Sequence, residues 1–397
     1  MAESIAEKKR VAFLFNHDAA HQAAHGVGIM GELARRNDAI TVFAACGSPA
    51  IEQAVRALVP AALHDRIHWV DIALPPLLDR IIAPINQIAP VRRVLRLDRA
   101  LEFIASLDLL VSTERTCLRA KRKLGSRAPR FVFVPHGAGD RNVSYHPELA
   151  QFDLFLLSGE KVIDQMIHHG IARRDQCRLI GYPKFDTIPM DVVPRFFDND
   201  NPVFLYNPHF DPYLSSWYDL GHDVLAYFAA HADRYNLIFA PHVMLFRKKL
   251  HYSLEYRTAR LRPDVPQAYR NAPNILIDVD SPRLMDMSYT RAADAYIGDV
   301  SSQVYEFLFR PRACFFLDVE NAATAGAEER YEFWRTGDVF RSVEALAAAI
   351  PEWREAAARY KTKQIELFRY TIDEDRSASS SIRGAGALAD YVLGATS

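Results

Sequence analysis

Short continuous apolar runs recur along the chain, each followed by a longer stretch in which apolar positions return every three or four residues. That alternation predicts βαβ units and a parallel sheet. In the first half the runs fall at 11–15, 40–45, 109–112, 131–135, 154–158 and 177–182. Their unbroken apolar character fits strands covered on both faces. The pattern restarts after MDVVPRFFDNDNP at 190–202, a Pro- and Asp-rich stretch that no central strand tolerates and that reads as a linker. Further runs follow at 203–207, 237–242, 275–279, 295–299 and 313–318, so the second half predicts a second α/β sheet domain. The expected organisation is an N-terminal Rossmann-like domain over 1–195, a second over 196–365, and a helical segment over 366–397. In open parallel sheets ligands bind outside the carboxyl ends of the strands, so two such domains are expected to face each other across a cleft lined by the residues that follow strands. SASSS at 377–381 reads as a loop before a last helix around 386–393.

Composition narrows the classes. The 397 residues are 49% hydrophobic and 24% charged, which fits an ordinary globular protein and excludes disordered, collagen-like and coiled-coil chains. A formal net charge of −1 leaves no global positive field for nucleic acid, so any anion must be bound locally. Cys46, Cys117, Cys177 and Cys314 have no paired or metal-type spacing, which favours a reduced compartment and a cytoplasmic address. The first apolar run is too short for a signal-peptide core, and no stretch approaches the roughly 18 apolar residues of a membrane span. The segments 74–97 and 115–130 mix apolar residues with arginines and lysines. They suit either peripheral contact with anionic lipid on the inner face of the membrane or helices packed on the core with basic solvated ends.

Candidate chemistry lies after the strands. His17, His21 and His25 are spaced four apart beyond the first run, so a helix through them would stack all three on one side, toward an acceptor. No HExxH arrangement accompanies them, and no metal or cofactor is expected. FVFVPHGAGD places His136 at a strand tip beside Gly137, Gly139 and Asp140, where an imidazole can take a proton from a hydroxyl or simply bond a loop carbonyl. LIFAPHVMLFRKK repeats the device with His242, followed by Arg247, Lys248 and Lys249, which suit a phosphate or a solvated helix face. In AYIGDVSSQVYEFLFRP a strand leads through Asp299 to Ser301 and Ser302, expected to cap a helix running to Arg310 whose N-terminus would attract a diphosphate. Glu306 lies one residue beyond the capping-box position and is left for another partner, such as a ribose hydroxyl.

The order of these segments resembles the CDP-glycerol glycerophosphotransferase family, of the wall teichoic acid primase and polymerase type. The resemblance rests on His136-Gly137, on LLSGEKVIDQMIHHGI and RLIGYPKFD within 156–186, on the run from Val203, on the His242 strand end, and on GDVSS at 298–302. It implies a GT-B fold with C-terminal helices crossing back to the first domain. The chain departs from the pattern where the family has Thr-Pro and Lys after His-Gly, here Ala138, Gly139 and Asp140. It departs again where the family has a Tyr-Ala-Pro-Thr-Trp-Arg type motif, here Tyr206 to Asp211.

The resemblance implies transfer of glycerol phosphate, or a similar polyol phosphate, from a CDP-linked donor to a hydroxyl of a lipid-linked or glycan acceptor. On that reading His136 is the base. His242, Ser301, Ser302, Asp299 and Arg247 hold the diphosphate, Glu306 the ribose, and His17, His21, His25, Gly137 and Asp140 line the acceptor side. Three alternatives keep the architecture: a sugar transferase using a CMP- or UDP-linked sugar, a sugar-nucleotide 2-epimerase, and a binding or scaffold protein without catalysis.

Overall fold

The computed structural model describes residues 7–17, 20–36, 38–84, 86, 91–137, 145–319, 331–373, 375 and 377–394, with the side chains of Ala20 and His21 left out. The chain divides into two compact units. The first comprises Met1–Ala138, Tyr145–Pro189 and Tyr370–Ser397; the second comprises Gly139–Ser144 and Met190–Arg369.

The first unit is built on seven parallel strands: β1 Lys9–Phe15, β2 Ile40–Cys46, β3 Ile67–Asp71, β4 Leu109–Ser112, β5 Arg130–Phe133, β6 Leu154–Leu157 and β7 Cys177–Leu179. Their order is β3-β2-β1-β4-β5-β6-β7, and Phe13 pairs with Ala44 on one side and Val111 on the other. Because successive side chains of a strand point to opposite faces, Val11, Phe13 and Phe15 enter one core while Ala12 and Leu14 enter another. Both cores are closed to water, which is why β1 reads as an unbroken apolar run. The last helix, Ser380–Leu393, starts at a Ser379 cap and packs on the helix Val27–Arg36, burying Ala385, Leu388 and Val392. Gly384 permits that approach, since a Cβ there would lie 2.9 Å from Ile29 Cδ1.

The second unit holds β8 Val203–Asn207, β9 Asn236–Phe239, β12 Ile275–Ile277, β13 Ala295–Gly298, β14 Ala313–Leu317 and β15 Asp338–Phe340, all parallel in the order β12-β9-β8-β13-β14-β15. A separate antiparallel pair, β10 Leu250–Ser253 and β11 Thr258–Leu261, follows β9. Tyr206, Phe204, Phe239, Trp217 and Phe315 fill one core of this unit. The segment 190–202, expected as a linker, contains no helix or strand.

Two local expectations are corrected. Residues 20–25 form a 3-10 helix at three residues per turn, so the four-residue spacing of the histidines does not stack them on one α-helical side. His17 precedes that turn, and both His17 and His25 are buried. The helix expected from Ser301 or Ser302 to Arg310 is a single turn, Val304–Phe307, with Gln303 in the cap position and no side-chain cap. At its end the guanidinium of Arg312 donates to the carbonyl of Phe307.

Candidate functional site

Each of the two parallel sheets has one place where the strand order reverses direction, and the crevice outside the carboxyl ends there is where α/β folds bind ligands. In the first unit this lies between β1 and β4, in the second between β8 and β13. Asp299 directly follows β13 at the second position, and His136 stands near the first, just beyond β5.

At the end of β4, Thr113 turns its carbonyl to His136, which stands just beyond the end of β5, with Nδ1 to O at 3.0 Å. A carbonyl only accepts, so Nδ1 carries the proton and Nε2 of the neutral ring is left as the basic nitrogen. His136 is solvent-exposed, and a Cβ on the adjacent Gly137 would meet nothing within 4 Å. Behind them Glu114 is buried, and its carboxylate accepts from Arg93 Nη1 at 2.8 Å and Thr116 Oγ1 at 2.6 Å. Burial holds the Glu114 carboxyl above its usual range, against the pull of Arg93 and of a charged His136. Asn16, fully buried after β1, donates Nδ2 to the Arg93 carbonyl at 3.0 Å. Arg93, Glu114 and Asn16 escape a search for histidines and serines. Their signal is position: Asn16 and Glu114 come right after apolar strands, whereas Arg93 has none.

In the second unit the hub is Asp299, which directly follows β13 and is almost wholly buried. Its carboxylate accepts from the backbone N–H of His209 at 2.9 Å, of Ser216 at 2.7 Å and of Val300 at 2.6 Å, and from Ser216 Oγ at 2.9 Å. Burial pushes its pKa up to about 6 against those donors. Asp299 thus spends its acceptor capacity on the loop 208–216 and shapes that loop rather than presenting a free carboxylate.

The loop carries His209, whose ring centroid lies 5.3 Å from that of His242, with Phe210 4.8 Å from His242. In both imidazoles Nδ1 accepts a backbone N–H, from Asp211 to His209 at 3.1 Å and from Met244 to His242 at 3.2 Å. The neutral rings therefore carry their protons on Nε2, as donors suited to an anion, the reverse of His136. Sequence reasoning passed over His209; its likeness to His242, shortly past a strand and directly after a Pro, was the available signal.

The remaining candidates are dispersed. Ser301 is buried and its Oγ accepts from Gln303 N at 3.4 Å, whereas Ser302 is exposed. With one helical turn behind them the dipole argument lapses, and only hydroxyls and loop N–H groups remain. Glu306 is buried in that turn. Arg247 is exposed, with Nη1 3.5 Å from Met244 Sδ. His25 packs edge-on against Tyr182 at 5.1 Å and His17 against Phe15 at 6.4 Å. Asp140 and the His21 side chain lie outside what is described. Among the described residues no group of three or more His, Cys, Asp or Glu comes together as metal ligands, and no helix is long and apolar enough to cross a membrane. A cavity of about 450 Å³ runs along β15 between Trp334, Arg335, Asp338, Arg359, Tyr360 and Lys363, and includes none of the predicted site residues.

No protein-family model and no curated protein sequence matches the chain. Solved structures do. One of the wall teichoic acid polymerase TagF, soaked with CDPG, aligns at a TM-score of 0.61 and 14% identity over 98% of this chain and 88% of that one. A UDP-N-acetylglucosamine 2-epimerase aligns at 0.58 and 10% identity over 98% and 97%. The Neisseria meningitidis UDP-GlcNAc 2-epimerase bound to UDP-GlcNAc aligns at 0.54 and 11% identity over 98% and 100%. The fold is therefore α/β and GT-B-like, with two Rossmann-like units.

Proposed function

We propose that the protein is a transferase that moves glycerol phosphate, or a similar polyol phosphate, from a CDP-linked donor to a hydroxyl of a lipid-linked or glycan acceptor. The observation that carries the reading is the opposite kind of partner held by the imidazole Nδ1 atoms. In the first unit His136 Nδ1 faces a carbonyl, which leaves Nε2 as a base; in the second, Nδ1 of His209 and of His242 accepts a backbone N–H, which leaves Nε2–H as a donor. Phosphoryl transfer needs both roles, and the likeness to TagF supports the donor class.

In the proposed reaction His136 Nε2 takes the proton of the acceptor hydroxyl as its oxygen forms a bond to the β-phosphorus of the donor. The bond from that phosphorus to the bridging oxygen breaks, and CMP leaves with the electron pair. His242, His209 and Ser301 stabilise the charge that builds on the diphosphate, with Ser302 and Arg247 at the solvent side and Glu306 toward the ribose. Asp299 positions the His209 loop. His17, His21, His25, Gly137 and Asp140 belong to the acceptor side of this reading.

A second reading, a sugar-nucleotide enzyme, is favoured by the likeness to the epimerases. One assay separates the two: release of CMP or UDP from CDP-glycerol, CMP-sugars and UDP-sugars with and without acceptor. CDP-glycerol turnover that falls by about 10²–10⁴ in His136→Ala, with nucleotide binding retained, supports the proposal. Turnover confined to a CMP- or UDP-sugar replaces it with the second reading. Near-normal turnover in His136→Ala removes that residue from the chemistry, and no turnover with any donor points to a binding protein.

A further inference from the structure

The antiparallel pair β10–β11 lies outside the parallel sheet, and its two faces differ in kind. The inner face is fastened to the second unit: Arg260 makes two bonds to Asp219 at 2.7 and 2.6 Å, and His251 Nε2 lies 2.9 Å from the Leu245 carbonyl. Tyr256, in the turn, stacks on Tyr213 at 4.2 Å. On the outer face Leu250 stands opposite Leu261 and Tyr252 opposite Ala259. Leu250 is 59% exposed, Tyr252 57%, Leu261 67%, and Leu254 at the turn 86%. Four large apolar side chains on one small hairpin form a patch that soluble surfaces avoid unless something covers it.

The charge around the patch says what. Residues 247–264 contain six Lys and Arg against two Asp and Glu, in a chain whose net charge is −1. Lys249 and Arg262 pair with Asp264, while Arg247, Lys248 and Arg257 are exposed and take no carboxylate partner among the described residues. Many basic residues elsewhere are paired or buried, although Arg80 is exposed. In the segments 74–97 and 115–130, Arg92 pairs with Asp79, Arg93 with Glu114, Lys121 with Asp153, Arg119 and Lys123 with Asp98, and Arg96 is buried. Arg247, Lys248 and Arg257 thus leave three exposed cations without a carboxylate partner among the described residues beside the apolar hairpin.

We infer that the β10–β11 hairpin is a membrane-docking element that inserts Leu250, Tyr252, Leu254 and Leu261 at the surface of an anionic bilayer while Arg247, Lys248 and Arg257 meet the headgroups. Leucine and tyrosine flanked by cations match the layering of such an interface, where apolar groups sink and charges stay with phosphates. The inference goes beyond the transferase reading and does not depend on the reaction, since binding alone tests it.

The full-length chain is sedimented with phosphatidylcholine vesicles with and without phosphatidylglycerol. Binding is expected with phosphatidylglycerol and to weaken with salt, and Lys248→Gln and Arg257→Gln should each lower partitioning about fivefold. Leu250→Ser with Leu254→Ser and Leu261→Ser should abolish it; these side chains are solvent-exposed, and an unchanged melting temperature verifies the fold. A Leu254→Trp variant should shift its emission to the blue on vesicles and be quenched by brominated lipid. Absence of binding, emission of the Leu254→Trp variant that stays unshifted on vesicles, or binding that survives the hairpin variants and disappears in Leu77→Ser with Ile81→Ser overturns the inference. So does concentration-dependent self-association, lost in the same hairpin variants, that accounts for the patch without lipid.

Discussion

His136 and His242 are the same side chain set to opposite tasks by one hydrogen bond each. A carbonyl under Nδ1 makes the far nitrogen of His136 a base; an amide on Nδ1 makes the far nitrogen of His242 a donor. His242→Ala should therefore weaken donor binding about tenfold in a titration, the worth of one charge-assisted bond, whereas His136→Ala should leave that constant alone. Asp299 titrates within an accessible range. With its pKa near 6 in the fold against an ordinary 3.8, the unfolded chain gives up this proton first, so its contribution to stability falls as pH rises through that window and is level above it. Below about 6 the carboxyl gains a proton and loses an acceptor that the 208–216 loop uses, so donor affinity should fall as pH drops through 6. Asp299→Asn should hold the weakened affinity at every pH; a variant with the wild-type profile would show that the loop does not depend on the charge. At this scale the sequence disclosed positions more readily than roles. His136 and His242 were legible because each follows an apolar run, but which nitrogen is protonated depends on Thr113 and on the turn to Met244, and no spacing rule encodes that.

Elements were legible in proportion to their burial. β4 and β8, largely closed on both faces, were readable to the residue from continuous apolar runs. β3, β15 and the β10–β11 pair were missed because they are edge or surface strands with partial exposure and leave no such run. The helix after Ser302 was overestimated for a different reason. Its residues Val304 to Leu308 are all buried, so the segment has no polar face to give it a helical period, and it ends where Arg312 reaches it. Arg312 is the element-scale device of the second unit. Its guanidinium donates to the carbonyls of Thr290, Ala293, Phe307 and Arg310, joining the ends of two short helices, and lies 3.7 Å over the Phe307 ring. Burial lowers its pKa to about 9. Arg312→Ala should destabilise the protein by about 3–5 kcal/mol in denaturant melts, since several buried carbonyls lose their donor at once. A loss below about 1 kcal/mol would mean that water replaces the side chain.

For the whole molecule, the periodic alternation announced two sheets and a restart near residue 195, and the division falls between Pro189 and Met190. That the end of the chain joins the first unit was implied by the resemblance and not by the hydrophobic pattern. Ser158 Oγ donates to the Thr371 carbonyl at 2.9 Å, and the helix Ser380–Leu393 closes the core beside β1. Truncation before Ser379 should expose Ile29, Val27 and their neighbours, lower the melting temperature, and make the first unit the preferred target of limited proteolysis. Equal resistance of full-length and truncated chains would contradict that role. Whether the crevice between β8 and β13 holds an activated diphosphate is decided by a crystal structure of the protein soaked with CDP-glycerol. Diphosphate oxygens are expected within hydrogen-bond distance of His242 Nε2 and beside Ser301; a diphosphate seated instead in the cavity along β15, with the β8–β13 crevice filled by protein, would overturn the proposal.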